Sequence, residues 1–396
     1  MRKILFITWD GPQTSYMEGL FMPIFNEISK TQPVEFHVLQ FTWAKEEKIK
    51  QIKEAATTLG IIYTVVPVYR KPIALVGSLL TVFKGISFVQ KYIKKHQIEI
   101  VMPRSTMPAV MVNRLQRKNI KVIFDADGLP LEERVDFSGL SKESKQYIWL
   151  KSQETKLLRT ADGVITRSQK AIEIHLTTIG EGYRNKFSVV FNGRNSTVFK
   201  PDFNERLKTR EQLGFSPHEK IFVYCGSLGP QYGWEEMVTI FSEYHNKNNA
   251  SKFLILTGNT EFAEQRLPSS LKESIKLISV PFIDVPKYLN SADIAFAIRK
   301  PTFSMQGVAP IKLGEYLLMG LPTIASAGIG DTESFLKTVS ECLLFEHSDQ
   351  QRFKKASDYL QTLDTIEKNQ IRKIGMQYFS LERSAKSYIE SISKLK

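Results

Sequence analysis

The chain has 396 residues, 42% of them hydrophobic and 24% charged, a globular balance that excludes disordered, collagen-like and coiled-coil proteins and leaves room for two domains. Its net charge of +13 sits in one half: residues 1–200 hold 30 Lys/Arg against 18 Asp/Glu, whereas residues 201–396 hold 24 against 23. Two cysteines, Cys225 and Cys342, exclude a disulfide framework or a cysteine-built zinc site and suit a reducing compartment.

Met1-Arg2-Lys3 is followed by only four clearly apolar residues before Trp9-Asp10-Gly11, too short for a signal-peptide core and better read as a buried strand. No apolar run approaches the roughly 20 residues that span a bilayer, so a soluble, cytoplasmic chain is expected. Strands are predicted at Lys3–Thr8, Val34–Gln40, Ile61–Pro67, Ile98–Met102, Lys121–Asp125, Gly163–Thr166 and Phe187–Phe191, with helices such as Glu18–Ser29, Met107–Arg117 and Glu143–Arg159 between them. This alternation, with near-continuous apolar strands, means a parallel sheet covered on both faces. The stretch Leu75–His96 carries Leu79, Leu80, Phe83, Ile86, Val89, Tyr92 and Ile93 at helical spacing, with Lys84, Lys91, Lys94 and Lys95. Such a helix either covers a sheet face or lies on an anionic membrane.

The turn-rich run Asn192-Gly193-Arg194-Asn195-Ser196 interrupts this order. The same pattern then restarts, with strands predicted at Lys220–Cys225, Lys252–Thr257, Ile275–Val280, Asp293–Ile298, Pro322–Ala325 and Cys342–Phe345. The expected fold class is α/β, two Rossmann-like doubly wound parallel-sheet domains facing a cleft, over residues 1–192 and 193–378. Such sheets bind ligands at the carboxyl ends of their strands. A basic half suits nucleic acid, an anionic membrane or a phosphorylated substrate. Scattered cations without a helix-turn-helix, zinc-finger or RNA-binding signature count against nucleic acid.

The most informative stretch is Arg299 to Glu333, RKPTFSMQGVAPIKLGEYLLMGLPTIASAGIGDTE. It passes from a strand end through a Ser/Gly/Pro loop into a helix beginning near Pro310–Ile311, where a proline is tolerated. Free N–H groups and the helix dipole make that terminus an anion site. Lys312 in the first turn is unfavourable for the helix itself, which points to an anionic partner such as a diphosphate. Glu315, on the same face, suits the vicinal hydroxyls of a ribose; alternatively, Lys312 and Glu315 form a surface ion pair.

The segment P-x-K-x-x-E-Y-x-x-x-G-x-P-x-I-A-S, Pro310 to Ser326, resembles the donor-binding helix of GT-B fold glycosyltransferases, particularly glycosyltransferase family 4. Phe191-Asn192-Gly193 through Phe199-Lys200-Pro201, the glycine loop Gly226-Ser227-Leu228 through Tyr232-Gly233, and Gly328 to Glu333 are similar to further stretches of that family. The segment 379–396, opening Phe379-Ser380-Leu381-Glu382, is similar to its helix that crosses back onto the first domain. The resemblance implies that Glu315 binds the ribose of a nucleotide-sugar. It also implies that Lys312 and the loop Gly307, Val308, Ala309 and Pro310 hold diphosphate and sugar, that Gly226 and Ser227 line the donor, and that residues around Phe282 cover the base. Two departures stand out: Gly307 occupies the place of a glutamate, and Ser227 and Tyr232 replace a basic pair. Positive charge then falls to Lys312 with Arg299 or Lys300.

On the first domain, Asp125 and Asp127 follow a strand, with Glu133 and Arg134 shortly after. Asp125 is the first candidate for orienting an acceptor hydroxyl and Asp127 the second; equally, Asp127-Gly128 forms a turn and Asp125 caps a backbone N–H. D-x-D after a strand is also the metal-binding signature of GT-A fold glycosyltransferases. Asp10, Gly11 and Arg104 lie at other strand ends and are acceptor-side candidates, while Trp9 serves either acceptor or packing. The six histidines are dispersed with no H-E-x-x-H, so no metal site is expected. The resemblance implies a retaining, metal-independent glycosyltransferase with no cofactor beyond its nucleotide-sugar co-substrate. Sugar would pass from a UDP- or GDP-sugar to a glycan or lipid-linked acceptor, as in bacterial surface polysaccharide or glycoconjugate synthesis. Peripheral membrane contact through the basic domain is expected with it. The alternatives are a nucleotide-sugar epimerase or phosphorylase of the same fold and a non-catalytic nucleotide-sugar-binding protein.

Overall fold

The apolar runs of the first half form seven strands: β1 (Arg2–Asp10), β2 (Val34–Thr42), β3 (Ile62–Pro67), β4 (Ile100–Pro103), β5 (Lys121–Asp127), β6 (Gly163–Thr166) and β7 (Phe187–Val189). All pair in parallel, in the spatial order β3-β2-β1-β4-β5-β6-β7. Ile4 to Ile7 of β1 are fully buried, as a strand with helices on both faces requires. β1 pairs with β2 on one side and β4 on the other. That reversal of strand order is a topological switch point, where the connections leave in opposite directions and open a crevice. This computed structural model describes every residue except Gln13, Pro72, Ile366 and Lys396, and excludes the side chains of Leu75 and Thr365. The loop after β1, a candidate for acceptor binding from Trp9 through Ser15, contains Gln13, which lies outside the described residues.

The second half repeats the plan with six parallel strands: β8 (Lys220–Cys225), β9 (Ser251–Leu256), β10 (Ile275–Ile278), β11 (Ile294–Ala297), β12 (Thr323–Ser326) and β13 (Leu343–Phe345). Their order is β10-β9-β8-β11-β12-β13, and the switch point falls between β8 and β11. Two units result, Met1–Phe191 with Ser384–Lys396, and Asn192–Arg383. Within the second unit, the helix Ile311–Leu318 packs against Lys368–Phe379. A Cβ at Gly314 would come within 2.5 Å of the Phe379 ring, and one at Gly375 within 2.6 Å of the Leu317 backbone. Small residues let these two helices close.

Two helices depart from the periodicity reading. The first begins as a π turn, Met17–Phe21, before the α-helix Met22–Thr31, because Pro23 has no N–H for the regular ladder. The helix expected over Met107–Arg117 spans Thr106–Val112. The Arg117 guanidinium folds back and donates to the Val112 carbonyl, closing the helix early.

Candidate functional site

The second unit assembles a cationic corner where β8, β11 and the helix Ile311–Leu318 end or begin. Gly226, directly after β8, has φ +142°, and a Cβ there would fall 1.6 Å from Lys312 Cε and 2.0 Å from Nζ. The lysine end lies across the glycine, and the positive φ is one that strains an L side chain, which favours glycine at this position. Lys312 Nζ stands 5.6 Å from the Tyr232 ring centroid and Arg299 Cζ 4.9 Å from the same ring. Tyr232 bridges Arg299 in antiparallel fashion, Gly233 N–H donates to Ile298 O, and Lys300 N–H donates to Gln231 O. These bonds stitch the glycine loop to the end of β11. Among the described residues no carboxylate lies within 4.0 Å of Lys312 or Arg299, whereas Lys300 faces Glu235 at 3.9 Å. Two half-buried cations share one aromatic ring beside a helix start that has no side-chain cap. Together with the helix dipole, the corner is electrostatically incomplete without an anion.

Glu315, one turn into the helix, is buried, and its Oε1 accepts from Arg194 Nε at 2.7 Å. The surface pair with Lys312 is therefore not formed. Arg194 in turn lies 4.7 Å over the Phe282 ring, which places Phe282 beside the acid expected at the ribose. Asn192 Nδ2 reaches Ala309 O at 3.5 Å, while its buried Oδ1 has no hydrogen-bond partner. Gly307 closes a buried 3-10 turn, Ser304–Gly307, and Val308 N–H donates to Met305 O. Gly330 N–H donates to the same carbonyl, and Glu333 Oε1 accepts from Gly328 N–H, bracing this loop from the run after β12. Ser227 is exposed on the glycine loop, its carbonyl accepting from Tyr224 Oη. The neighbouring Cys225 thiol is pushed up to about 12 by burial and stays protonated.

A further chain supports the corner from behind. Arg299 N–H donates to Ser326 Oγ at 2.9 Å, Ser326 Oγ is 2.9 Å from His347 Nε2, and His347 Nδ1 is 3.5 Å from Glu236 Oε1. His347 holds the Glu236 carboxyl below its usual range against the opposing effect of burial. The sequence reading missed Arg194, Tyr232 as a cation platform, and His347. Arg194 had a signal, its place in the Asn192-Gly193 run; His347 had none.

The first unit gathers a different set at its own switch point. Asp125 is fully buried, with Oδ2 2.7 Å from Arg167 Nη2 and Oδ1 accepting from Asp127 N–H at 3.0 Å. Asp127, at φ +63°, puts Oδ2 2.6 Å from Arg104 Nη2 and Oδ1 3.6 Å from Arg167 Nε. Asp10 accepts from Thr8 and Gln40 and lies 3.7 Å from Arg104. Burial raises the Asp125 carboxyl despite Arg167, and the aspartates hold both guanidiniums protonated in spite of burial. Arg104 Nε, Arg167 Nη1 and the Tyr388 hydroxyl are buried here without hydrogen-bond partners.

Asp125 therefore gives up its place as first acceptor candidate: it is sealed and engaged, whereas the Asp127 side chain is 28% exposed. The two carboxylates of D-x-D are taken up by guanidiniums, which removes the observation behind the GT-A reading. Trp9 stacks on Phe41 at 5.8 Å and serves packing. Gly11 is held close to Trp43, 3.0 Å from where its Cβ would be. Glu133 and Arg134 sit on the helix Pro130–Ser138, whose buried acid is their neighbour Glu132, bonded to Tyr147 and Lys151. Arg167, absent from the sequence candidates, stands directly after β6, and a cation at a strand's carboxyl end was its signal.

Residues 219–362 match the family model described as Glycosyl transferases group 1. No curated protein sequence matches the chain significantly. Among solved structures, Anabaena HepE in complex with UDP-glucose is similar over 100% of both chains, with TM-score 0.73 at 16% identity. Sucrose-phosphate synthase from Thermosynechococcus elongatus is similar over 100% of this chain and 99% of its own, with TM-score 0.70 at 15% identity. A Listeria monocytogenes protein assigned as a UDP-N-acetylglucosamine 2-epimerase is similar over 99% of this chain and 96% of its own, with TM-score 0.60 at 14% identity. The chain thus has the GT-B fold, two parallel-sheet α/β units of seven and six strands, and part of its second unit is similar to the family described as Glycosyl transferases group 1.

Proposed function

We propose that this protein transfers a sugar from a UDP- or GDP-sugar to a hydroxyl of a glycan or lipid-linked acceptor. The observation that carries this reading is the pair Lys312 and Arg299 by the Tyr232 ring, cations with no carboxylate within 4.0 Å among the described residues, beside an uncapped helix start. The diphosphate would complete that corner. The 307–310 loop and the unsatisfied Asn192 Oδ1 would meet the sugar, Glu315 held by Arg194 would accept from the ribose, and Phe282 would lie against the base. As the bond from the anomeric carbon to the diphosphate oxygen breaks, a bond to the acceptor oxygen forms and the acceptor proton passes to the departing diphosphate. Lys312, Arg299 and the helix dipole stabilise the charge growing there, the task a metal performs elsewhere, so we assign a metal-independent reaction. Retention at the anomeric carbon follows from the family resemblance.

Asp127, positioned by Arg104 and Arg167, is the group we assign to the acceptor hydroxyl. A cationic first unit suits acceptors displayed at an anionic membrane, as in surface polysaccharide or glycoconjugate synthesis. Similarity to the Listeria protein favours a second reading, isomerisation of a nucleotide-sugar. Incubation with UDP- and GDP-sugars, followed by mass spectrometry and chromatography, separates the two. Free nucleoside diphosphate with a glycosylated acceptor or slow hydrolysis supports transfer, an isomerised donor supports the second reading, and no turnover with any donor rejects both.

A further inference from the structure

Among the described residues, four non-glycine positions have positive φ: Gln97, Ser105, Asn119 and Asp127. Gln97 closes the helix Ala74–His96 in the left-handed conformation common at helix ends. Asn119 and Asp127 are of the residue types that enter that conformation at least cost. Ser105 has neither reason. Its φ of 66° and ψ of −171° lie in a region that is essentially glycine's alone. The residue opens the helix Thr106–Val112, where a serine ordinarily takes extended backbone and caps a first-turn N–H. Here it makes no side-chain cap. Strain and a forgone cap thus meet at one residue, and neither strengthens the fold.

The conformation is imposed from both sides. Arg104 N–H donates to Ile7 O at 2.8 Å, and Arg104 forms a parallel bridge with Asp125. Ser105 N–H donates to Asp125 O at 2.9 Å, and Ser105 O accepts from Ala109 N–H at 3.3 Å. The Arg104 guanidinium is held by Asp127 at 2.6 Å. The main chain of Ser105 is therefore committed just after β4, at the first unit's switch point. Its side chain is half-buried and forms no hydrogen bond among the described residues. The neighbouring strand β5 ends at Asp127, the partly exposed carboxylate of the cluster.

We infer that Ser105 is a further acceptor-binding residue, and that the acceptor presents hydroxyls on two adjacent carbons, as a sugar ring does. This rests on the reading above that Asp127 meets the acceptor hydroxyl. Neighbouring strands run roughly 4.7–4.9 Å apart, so side chains from two adjoining strand ends can reach the oxygens of one vicinal diol. An ionised Asp127 only accepts, whereas the Ser105 hydroxyl both donates and accepts. Asp127 takes the O–H of the reacting hydroxyl, and Ser105 binds the hydroxyl beside it. A lone lipid alcohol would satisfy one of these groups and leave the other without a partner. The bonds on either side over-determine the strained backbone, and what the strain achieves is the placement of this hydroxyl.

Two substitutions separate the strain from the chemistry. Ser105→Gly removes strain and hydroxyl together and is expected to raise the thermal midpoint by about 3 °C. Ser105→Ala removes the hydroxyl alone and should leave the midpoint within about 1 °C. Acceptor use is read with a panel of octyl glycosides of hexoses and N-acetylhexosamines, with octanol as the single-hydroxyl probe. Wild type is expected to glycosylate at least one glycoside in preference to octanol. Both variants should lose about tenfold in kcat/KM for that glycoside, with UDP affinity within about twofold of wild type. Unchanged kcat/KM in the alanine variant, or a midpoint lowered by glycine, overturns the inference. So does transfer to octanol in preference to every glycoside, or donor hydrolysis by wild type without transfer to any probe. Neither hydrolysis nor transfer with any donor rejects the transferase reading itself, and this inference with it.

Discussion

The two units share one topology, a switch point beside the first strand of each sheet, yet they treat charge in opposite ways. In the first unit Asp10, Asp125 and Asp127 meet Arg104 and Arg167, and acids and bases neutralise each other. In the second, Lys312 and Arg299 lie by one aromatic ring beside a helix start, with no carboxylate within 4.0 Å among the described residues. A self-paired cluster holds a geometry; an unpaired one waits for a partner. The lesson is that a crevice is read by what its charges still lack rather than by how many it contains.

The comparison breaks most sharply at its two extremes. Lys312→Gln is expected to weaken UDP binding by about a hundredfold, roughly 2.7 kcal/mol, with the thermal midpoint nearly unchanged. Isothermal titration calorimetry reads the first and a melting curve the second; an unchanged affinity contradicts the assignment. Asp125→Asn should do the reverse. It takes from buried Arg167 its 2.7 Å counter-charge and leaves it Asp127 at 3.6 Å, at a cost of about 3 kcal/mol in denaturant unfolding, while UDP affinity stays within about twofold. A fully stable Asp125→Asn protein would show that the first cluster is not self-holding.

Smaller effects sharpen the picture. Gly226→Ala places a methyl where Lys312 lies and should reduce UDP affinity about tenfold through displacement of that side chain. His347→Ala releases Ser326 behind the Arg299 backbone and should cost about threefold in UDP affinity, with His347→Gln restoring part of it. The buried thiols offer a pH test. Cys225 and Cys342 are both pushed up to about 12, above an unfolded thiol near about 8.5. The native state keeps these protons while the unfolded state loses them, so stability is full below the unfolded value and falls as pH rises from there toward about 12. Cys342→Ala should flatten that decline in alkaline urea titrations, and neither native thiol should react with iodoacetamide at pH about 8.

Much of this was legible because parallel strands buried on both faces read as unbroken apolar runs; Gly163–Thr166 and Lys220–Cys225 match their predicted bounds. The helix with Lys312 and Glu315 was legible because proline, lysine and glutamate at its start each have a local reason to be there. What escaped depends on distance or on backbone detail. Arg194 reaches Glu315 across 121 positions, and His347 reaches Ser326 from another strand's end, pairings that no local pattern encodes. D-x-D could not show which acid is sealed. The ladder between β5 and β6 shifts register between Asp125 and Asp127, and the left-handed turn at Asp127 sends the second carboxylate toward Arg104 while the first is buried.

A crystal structure of the protein with UDP tests the central claim most directly. The account predicts the diphosphate within hydrogen-bonding distance of Lys312 Nζ and the first-turn N–H groups of Ile311–Leu318, with the ribose against Glu315. Diphosphate density elsewhere, with Lys312 still lying over Gly226 and no anion beside it, would contradict the account.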